Sequence, residues 1–206
     1  MKNMTIEDQT FQNIDFTTSP LSSSDFEFCR FIQCSFAKAD LSNYQFVDCS
    51  FTDCDLSNAK FQKTTLNDVC FTGCKLLGLH FEDSSDFLFT VSFENCTLNF
   101  SSFYKRQVKK TVFKTCLLQE VDFSDADLSG SSFDHCDLSK ALFENTNLEK
   151  ADFRTAYNFV IDPERNRSKK QGSTGWGLPD FCRNMISRFP KPCSGLSMNL
   201  PQFFQG

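Results

Sequence analysis

Eleven cysteines and two histidines are the residues of this 206-residue chain whose chemistry could be catalytic or metal-binding. Six of the cysteines follow one another at intervals of 20, 20, 22, 20 and 20 residues: Cys34, Cys54, Cys74, Cys96, Cys116 and Cys136. Such a series could hold a soft metal ion or form stacked disulfides. The chain has no CxxC pair, however, and its closest spacing, Cys70 to Cys74, lacks the second ligand pair that zinc sites usually need.

Nucleophilic catalysis is also disfavoured. His135 is adjacent to Cys136 in the sequence, but consecutive residues of an extended chain point to opposite sides of a wall. The other histidine, His80, is far from it along the chain. The sequence contains no GxGxxG, no phosphate-binding loop and no GxSxG. We therefore expect no enzyme, no cofactor and no metal site, and we interpret the cysteines as structural thiols.

The expected compartment follows from the absence of targeting signals. The first sixteen residues contain no apolar signal sequence, and no apolar run is long enough to span a bilayer. Without an export signal the default compartment is the cytoplasm, where thiols stay reduced. We expect a cytoplasmic protein without a membrane anchor.

A five-residue repeat must position the cysteines. From Phe11 to Phe81 every fifth residue is Phe or Leu. After a slip of two residues, a second series runs from Leu88 to Phe153, with Val108 as its one exception. The two series contain 29 centres, of which 17 are Phe. A period of five matches neither a helix nor a flat strand, so we expect a coil that turns a corner every five residues.

The residue two positions before each centre is usually small and is expected to face inward as well. These residues are Cys29, Cys34, Ala39, Cys49, Cys54, Ala59, Cys74, Cys96, Cys116, Ala126, Ser131, Cys136, Ala141 and Ala151. The 20-residue interval of the cysteines indicates four pentapeptides per coil. The one interval of 22 spans the slip between Phe81 and Leu88, so both patterns predict a two-residue insertion there. About seven coils, ~4.8 Å apart, would form a rod ~35 Å long.

Several strings carry a family resemblance. ADLSN (39–43), CDLSN (54–58), ADLSG (126–130), CDLSK (136–140) and ADFRT (151–155) resemble the A(D/N)LXX signature of the pentapeptide-repeat family. The resemblance implies an all-β fold, a right-handed quadrilateral β-helix over residues 1–157 with type II and type IV turns at its corners.

Within that family, the density of Phe and Cys and the ending near 156–166 are most similar to the quinolone-resistance (Qnr-type) and microcin-immunity (McbG-like) members. The similarity implies a DNA-mimic-like protein that binds DNA gyrase or topoisomerase IV and protects it from quinolones or a peptide toxin. The alternative is a structural scaffold whose partner is not a topoisomerase.

Charge separates the rod from the C-terminal segment. Residues 1–157 carry 14 basic and 23 acidic residues, whereas residues 158–206 carry 7 and 3. An acidic rod repels nucleic acid and attracts basic surfaces, so we expect no direct nucleic-acid binding. The candidate partner-binding face consists of the outward acids of the last coils: Asp122, Asp125, Asp127, Asp134, Asp137, Glu144, Glu149 and Asp152. The alternative is that these acids only keep the exterior soluble.

Two places interrupt the repeat. The insertion is a bulge or loop that contains Glu82, Asp83, Ser84, Ser85, Asp86 and Phe87. It is shorter than the projecting loops that matter for gyrase protection in the Qnr-type relatives, so the resemblance does not favour a loop-dependent mechanism for this chain. The second place is Arg106, which falls on an inward position. Because an unpaired buried guanidinium is costly, we expect either a distorted corner or an outward Arg106 among solvated lysines. A basic contact patch is the other interpretation.

Residues 158–206 are expected to form a cap or dimerisation segment and a partly disordered tail. A helical apolar pattern there predicts a short helix over about 179–189: Leu178, Phe181, Cys182, Met185, Ile186 and Phe189. Because related proteins dimerise through their C-terminal modules, this helix is the candidate for a homodimer contact or for an intrachain cap.

Overall fold

The protein is a parallel β-helix built from very short strands, as a computed structural model shows for residues 5–18, 21 and 23–167. The described residues form no α-helix, and one 3-10 turn covers Phe81–Asp83. They also contain no helix long and apolar enough to cross a membrane. The helix predicted around Leu178–Phe189 lies outside the described residues, as does most of segment 158–206.

Eleven strands follow one another along the chain. They are β1 (Thr5–Glu7), β2 (Thr10–Gln12), β3 (Asp25–Glu27), β4 (Arg30–Ile32), β5 (Gln45–Val47), β6 (Ser50–Thr52), β7 (Thr65–Asn67), β8 (Val69–Thr72), β9 (Val91–Glu94), β10 (Val112–Lys114) and β11 (Ser132–Asp134). They pair in parallel as two sheets, β1-β3-β5-β7 and β2-β4-β6-β8-β9-β10-β11. Each sheet is one side of the coil.

Four sides are present, as the cysteine interval predicts. Face 1 is the sheet β1-β3-β5-β7, continued by bridges from Gln107 to Arg167, and face 2 is the seven-stranded sheet. Isolated bridges form face 3, from Asp15 to Tyr157, and face 4, from Asp40 to Leu142. The ladder therefore continues to Arg167, beyond the predicted domain boundary at residue 157.

The register confirms the predicted insertion. Phe51 pairs with Phe71 at an interval of 20 residues, whereas Phe71 pairs with Phe93 at 22. The interval returns to 20 when Phe93 pairs with Phe113. We call residues 82–89, which contain the two extra residues, the bulge.

The core is a stack of Phe and Leu layers. All 29 predicted centres are buried except Phe11, Leu21 and Leu88. One column on face 2 stacks ring on ring at centroid distances of 4.5–5.4 Å: Phe11, Phe31, Phe51, Phe71, Phe93, Phe113, Phe133 and Phe153. Rings of the next column meet it edge to face, as between Phe113 and Phe123. The period of five thus places every Phe centre except Phe11 in one buried interior.

Leu88 is an exception to the predicted core. It was predicted to be a core centre, but its side chain is 54% exposed and its φ is +53°. The two extra residues make the chain bulge outward at this corner, so the five-residue phase does not resume until the next corner. Phe11 and Leu21 keep part of their surface exposed in the first coil.

The small inward residues are donors as well as fillers. The Sγ atoms of Cys54, Cys74 and Cys136 each lie 3.3–3.4 Å from the carbonyl oxygen of the centre 23 residues earlier. Thr64 and Ser131 donate their hydroxyls in the same way, at 2.7 and 2.6 Å. Thiols and hydroxyls therefore satisfy carbonyls that a corner would otherwise leave buried without a partner.

Candidate interaction surface

The eight predicted acids do not form a single face. The structure places Asp122, Asp125 and Glu144 on or beside face 4, Asp127 and Glu149 on face 1, Asp134 and Asp152 on face 2, and Asp137 on face 3. They surround the last coils, and we call them the acidic belt. A flat partner could contact only part of the belt at one time.

Several belt carboxylates have a local structural role. Asp122 accepts the backbone N–H of Ser124 at 2.8 Å, and Asp127 accepts that of Ser129 at 3.0 Å. Asp152 accepts the N–H of Arg154 in the same way, at 3.0 Å. This is the Asx turn, in which a side-chain oxygen replaces a backbone acceptor. The Asp of the repeated motif is therefore explained by the corner it builds.

Asp137 is the most enclosed member of the belt, with 8% of its surface exposed. Its carboxylate accepts hydrogen bonds from Ser139, from Gln119 Nε2 at 2.9 Å and from Asn158 Nδ2 at 3.0 Å. Burial raises the pKa of Asp137, but these hydrogen bonds outweigh burial and hold the pKa below its usual value. Asp137 is thus a structural carboxylate with little surface to offer a partner.

Ion pairs neutralise other parts of the belt. Asp152 pairs with Arg154 at 2.6 Å, and Asp127 with Lys109 at 3.3 Å. Glu144 pairs with Arg165 at 3.4 Å, and Asp134 contacts His135 at 2.7 Å. Within the described residues, Asp122, Asp125 and Glu149 form no ion pair. These three carboxylates are the part of the belt most available to a basic partner.

A surface of a single charge sign lies elsewhere, at the N-terminal end of face 1. The outward side chains and corners of β1, β3, β5 and β7 present six carboxylates: Glu7, Asp8, Asp25, Glu27, Asp48 and Asp68. Residues 5–8, 25–28, 45–48 and 65–68 include no Lys or Arg. We call this surface the acidic sheet. The order of residues along the chain does not reveal this surface, because its acids are scattered; they align only when the sequence is divided into coils of 20 residues.

Face 1 changes charge beyond the bulge. Its later strips, residues 107–110, 127–130, 147–150 and Arg167, contain four basic residues, Lys109, Lys110, Lys150 and Arg167, with Asp127 and Glu149. The bulge therefore separates an acidic half of face 1 from a mixed, mostly basic half.

Arg106 lies directly against the bulge. The expectation of a distorted corner or an outward Arg106 is wrong. Its corner keeps the ladder hydrogen bond from Asp127 N to Arg106 O, and its side chain points inward, with only 3% of the residue exposed. Nη1 donates to Ser84 O at 3.1 Å and to Asp86 Oδ1 at 2.5 Å, and Nη2 donates to Ser85 O. Arg106 is neither outward nor a basic contact patch, because the bulge supplies its partners.

The electrostatics of Arg106 reflect this enclosure. Burial lowers the pKa of Arg106, while the charges of Asp86 and Glu82 raise it. The guanidinium also lies 4.2 Å from the centroid of the Phe89 ring, within the range of a cation–π interaction. The two interruptions of the repeat are therefore one structural unit.

The cysteines have the environment of structural thiols. The nine cysteines in the described residues are free, and all except Cys70 are buried. Burial raises the pKa of the Cys49 thiol to about 12, so this thiol is protonated at neutral pH. No group of three or more His, Cys, Asp or Glu within the described residues could hold a metal ion. Both histidines lie on the exterior.

Comparison with known proteins places the chain by its repeat. The sequence model of the pentapeptide repeat region matches residues 24–86 and 87–156. A search of curated proteins found no match. Among solved structures, trypsin-treated QnrB1, a plasmid-mediated fluoroquinolone resistance protein, is 18% identical, with a TM-score of 0.44, over 81% of this chain and 91% of that chain.

Two further solved structures are similar at comparable identity. Full-length QnrB1 is 16% identical, with a TM-score of 0.41, over 90% of this chain and 99% of that chain. HetL, from the cyanobacterium Nostoc and involved in heterocyst differentiation regulation, is 16% identical, with a TM-score of 0.26, over 75% of this chain and 85% of that chain. The family match covers most of the four-sided β-helix described above, and the chain belongs to the pentapeptide-repeat family.

Proposed function

We propose that this protein is a non-enzymatic interaction protein that binds the basic, DNA-binding surface of DNA gyrase or topoisomerase IV and protects the enzyme from quinolones or a peptide toxin. The acidic sheet is the observation that carries the proposal, because its carboxylates share one sign over four successive rungs. The resemblance of the repeat to gyrase-protecting members of the family supports the choice of partner.

The charge density of the acidic sheet is of the order found on duplex DNA. Parallel strands lie ~4.8 Å apart, so four rungs occupy about 19 Å of the axis. The six carboxylates on this length amount to roughly one charge per 3.2 Å, compared with about one per 1.7 Å of duplex DNA, or about one per 3.4 Å of each of its strands. A groove that binds DNA through Lys and Arg would therefore meet a comparable negative surface.

The second candidate function is a scaffold with a partner unrelated to topoisomerases. The acidic belt favours this candidate, because Asx turns and ion pairs within the chain already explain several of its carboxylates without a topoisomerase partner. A pull-down from cytosol distinguishes the two functions. Recovery of a different protein, lost when the acidic sheet is neutralised, would establish the scaffold.

A gyrase supercoiling assay with a fluoroquinolone tests the leading proposal. The wild-type chain should raise the drug concentration needed for inhibition, and Asp25→Asn/Glu27→Gln/Asp48→Asn should abolish this protection. The matched control, Asp122→Asn/Asp125→Asn/Glu149→Gln, removes the same charge from the belt and should retain protection. Loss only in the control would move the contact to the belt, and no protection by the wild type at stoichiometric excess would exclude gyrase.

Dimerisation through residues 158–206 stays a prediction. Light scattering on the full chain and on a chain ending at Arg167 measures it directly. The full chain should have twice its monomer mass and the shortened chain its monomer mass. Equal oligomeric states would assign the segment to another role.

A further inference from the structure

The bulge interrupts face 1 and exposes two consecutive apolar side chains. Strand β7 is the last strand of the first sheet, and the ladder of face 1 resumes only at Gln107. Between them, Phe87 is 70% exposed and Leu88 is 54% exposed. Phe28 and Phe100 are also exposed, at 53% and 60%, but neither is followed by a second exposed apolar side chain, as Phe87 is.

Arg106 anchors this segment from the following coil. It occupies an inward position that Cys, Ala, Ser or Thr fills in most other coils. Its three hydrogen-bond acceptors, Ser84 O, Ser85 O and Asp86 Oδ1, all belong to the bulge, and its guanidinium faces the ring of Phe89. Because a buried guanidinium that loses its partners is strongly destabilising, Arg106 and the bulge must keep their mutual geometry.

The exposed pair has a negative border. The side chain of Asp86 is fully exposed, although its Oδ1 accepts from Arg106, and Asp83 is also exposed; Glu82 is partly buried and contacts His80 at 2.9 Å. The N–H of Phe87 donates to Ser85 Oγ at 3.2 Å, which fixes the backbone between the anchored residues and the apolar pair. The bulge therefore presents an apolar tip with carboxylates next to it.

We propose that Arg106 is a positioning residue that holds Phe87 and Leu88 as a preformed contact for a partner pocket with an apolar floor and a basic rim. Phe87 and Leu88 would pack on the apolar floor of the pocket, and the neighbouring carboxylates would pair with basic side chains at its rim. The choice of gyrase as the partner rests on the proposed function, whereas the positioning by Arg106 does not. A contact held in place before binding loses less conformational entropy when the complex forms.

Hydrogen exchange on the full chain tests the positioning role. Arg106→Met keeps the length and apolar stem of the side chain but removes every donor. Amides of residues 84–90 should then exchange about tenfold faster or more, while amides of β10 and β11 stay protected. Asp86→Asn, a surface change that leaves the fold intact, should accelerate the same amides to a smaller extent. Unchanged exchange at 84–90 in both variants would overturn the positioning role.

Binding to gyrase tests the contact. Phe87→Ser/Leu88→Ser should weaken binding about tenfold or more, as expected for an apolar anchor, without lowering the melting temperature. The control Leu142→Ser changes an equally exposed apolar residue on face 4 and should leave binding unchanged. If the double variant binds as well as the wild type, the assignment of Phe87 and Leu88 as the contact is wrong. If the wild type does not bind, the proposed function and this choice of partner fail together, and the exchange data alone decide the role of Arg106.

Discussion

The two halves of face 1 share one backbone and differ in charge. Before the bulge, the acidic sheet carries six carboxylates and no basic residue in its strips; after the bulge, four basic residues accompany two acids. In both halves the inward centres are buried Phe, Leu or Val on the same parallel ladder. Interior packing therefore restricts the inward positions of each pentapeptide and corner geometry restricts the Asx-turn and positive-φ positions, whereas the remaining outward positions can carry a functional surface.

The largest expected effect tests whether the coils before and after the bulge have equivalent cores. Phe46→Ala, below the acidic sheet, and Phe113→Ala, in a later coil, each remove a fully buried ring from a stack. Each should lower the free energy of unfolding by about 3–5 kcal/mol, measured by urea denaturation, because each leaves a large cavity. A cost below ~1 kcal/mol at either position would show that the corresponding half is not packed as described.

One corner glycine before the bulge and one after it allow a finer comparison. Gly73 and Gly130 both have φ near +70°, a conformation that L side chains rarely adopt. A Cβ at Gly73 would overlap Asp53 Oδ1, whereas a Cβ at Gly130 would lie 3.5 Å from Lys110 Cγ. Gly73→Ala should therefore cost about 1–2 kcal/mol and Gly130→Ala about 1 kcal/mol in the same denaturation experiment. A larger cost at Gly130 would contradict this order.

Acidic pH should remove the stability that Asp137 of the acidic belt contributes. Hydrogen bonds hold the pKa of Asp137 below its ordinary value of 3.8 in spite of burial. Its contribution to stability is therefore complete above pH 3.8 and is lost as the pH falls through the lower, folded-state value. Asp137→Asn should reduce the fall in melting temperature between pH 4 and pH 2, by an amount equivalent to roughly 1 kcal/mol or less. An unchanged fall would assign acid sensitivity to other carboxylates.

The smallest effect is expected at an exposed ion pair. Lys114 Nζ lies 2.7 Å from Glu94 Oε1, with both side chains about half exposed. Lys114→Ala should change the free energy of unfolding by no more than about 0.5 kcal/mol, because solvent screens such pairs. A cost near that of Phe113→Ala would mean that this outward position supports the fold.

Much of the fold could be predicted because the repeat is unusually regular. Of the 29 centres that the period of Phe and Leu predicts, 26 are buried, Phe11 and Leu21 are partly exposed, and Leu88 lies on the surface. The cysteine interval predicted four sides and located the insertion, which the pairing of Phe71 with Phe93 confirms. Regular spacing predicts these features because each pentapeptide makes the same corner and buries the same two positions.

The residue two positions after each centre is a second corner signal in the sequence. This residue usually has a positive φ, as at Asn13, Asp53 and Asn58. Asn, Asp and Gly tolerate this conformation best, and they recur at these positions. Counting them would have marked the corners independently of the Phe and Leu centres.

The candidate surface was harder to predict, because charge grouping depends on stacking rather than on order along the chain. Acids that are close in sequence, such as Asp134 and Asp137, lie on different sides of the coil, whereas Asp8, Asp48 and Asp68 share one face. The sequence therefore located acidic segments but not acidic surfaces.

By itself, the sequence determined the period, the four-sided coil, the core and the family. Only the tertiary structure decided which charges share a face and which partners the terminal nitrogens of Arg106 bind. The physical reason is that inward packing repeats locally every five residues, whereas a surface, or the partner of a buried guanidinium, is assembled from residues about twenty positions apart that meet only when the coils stack.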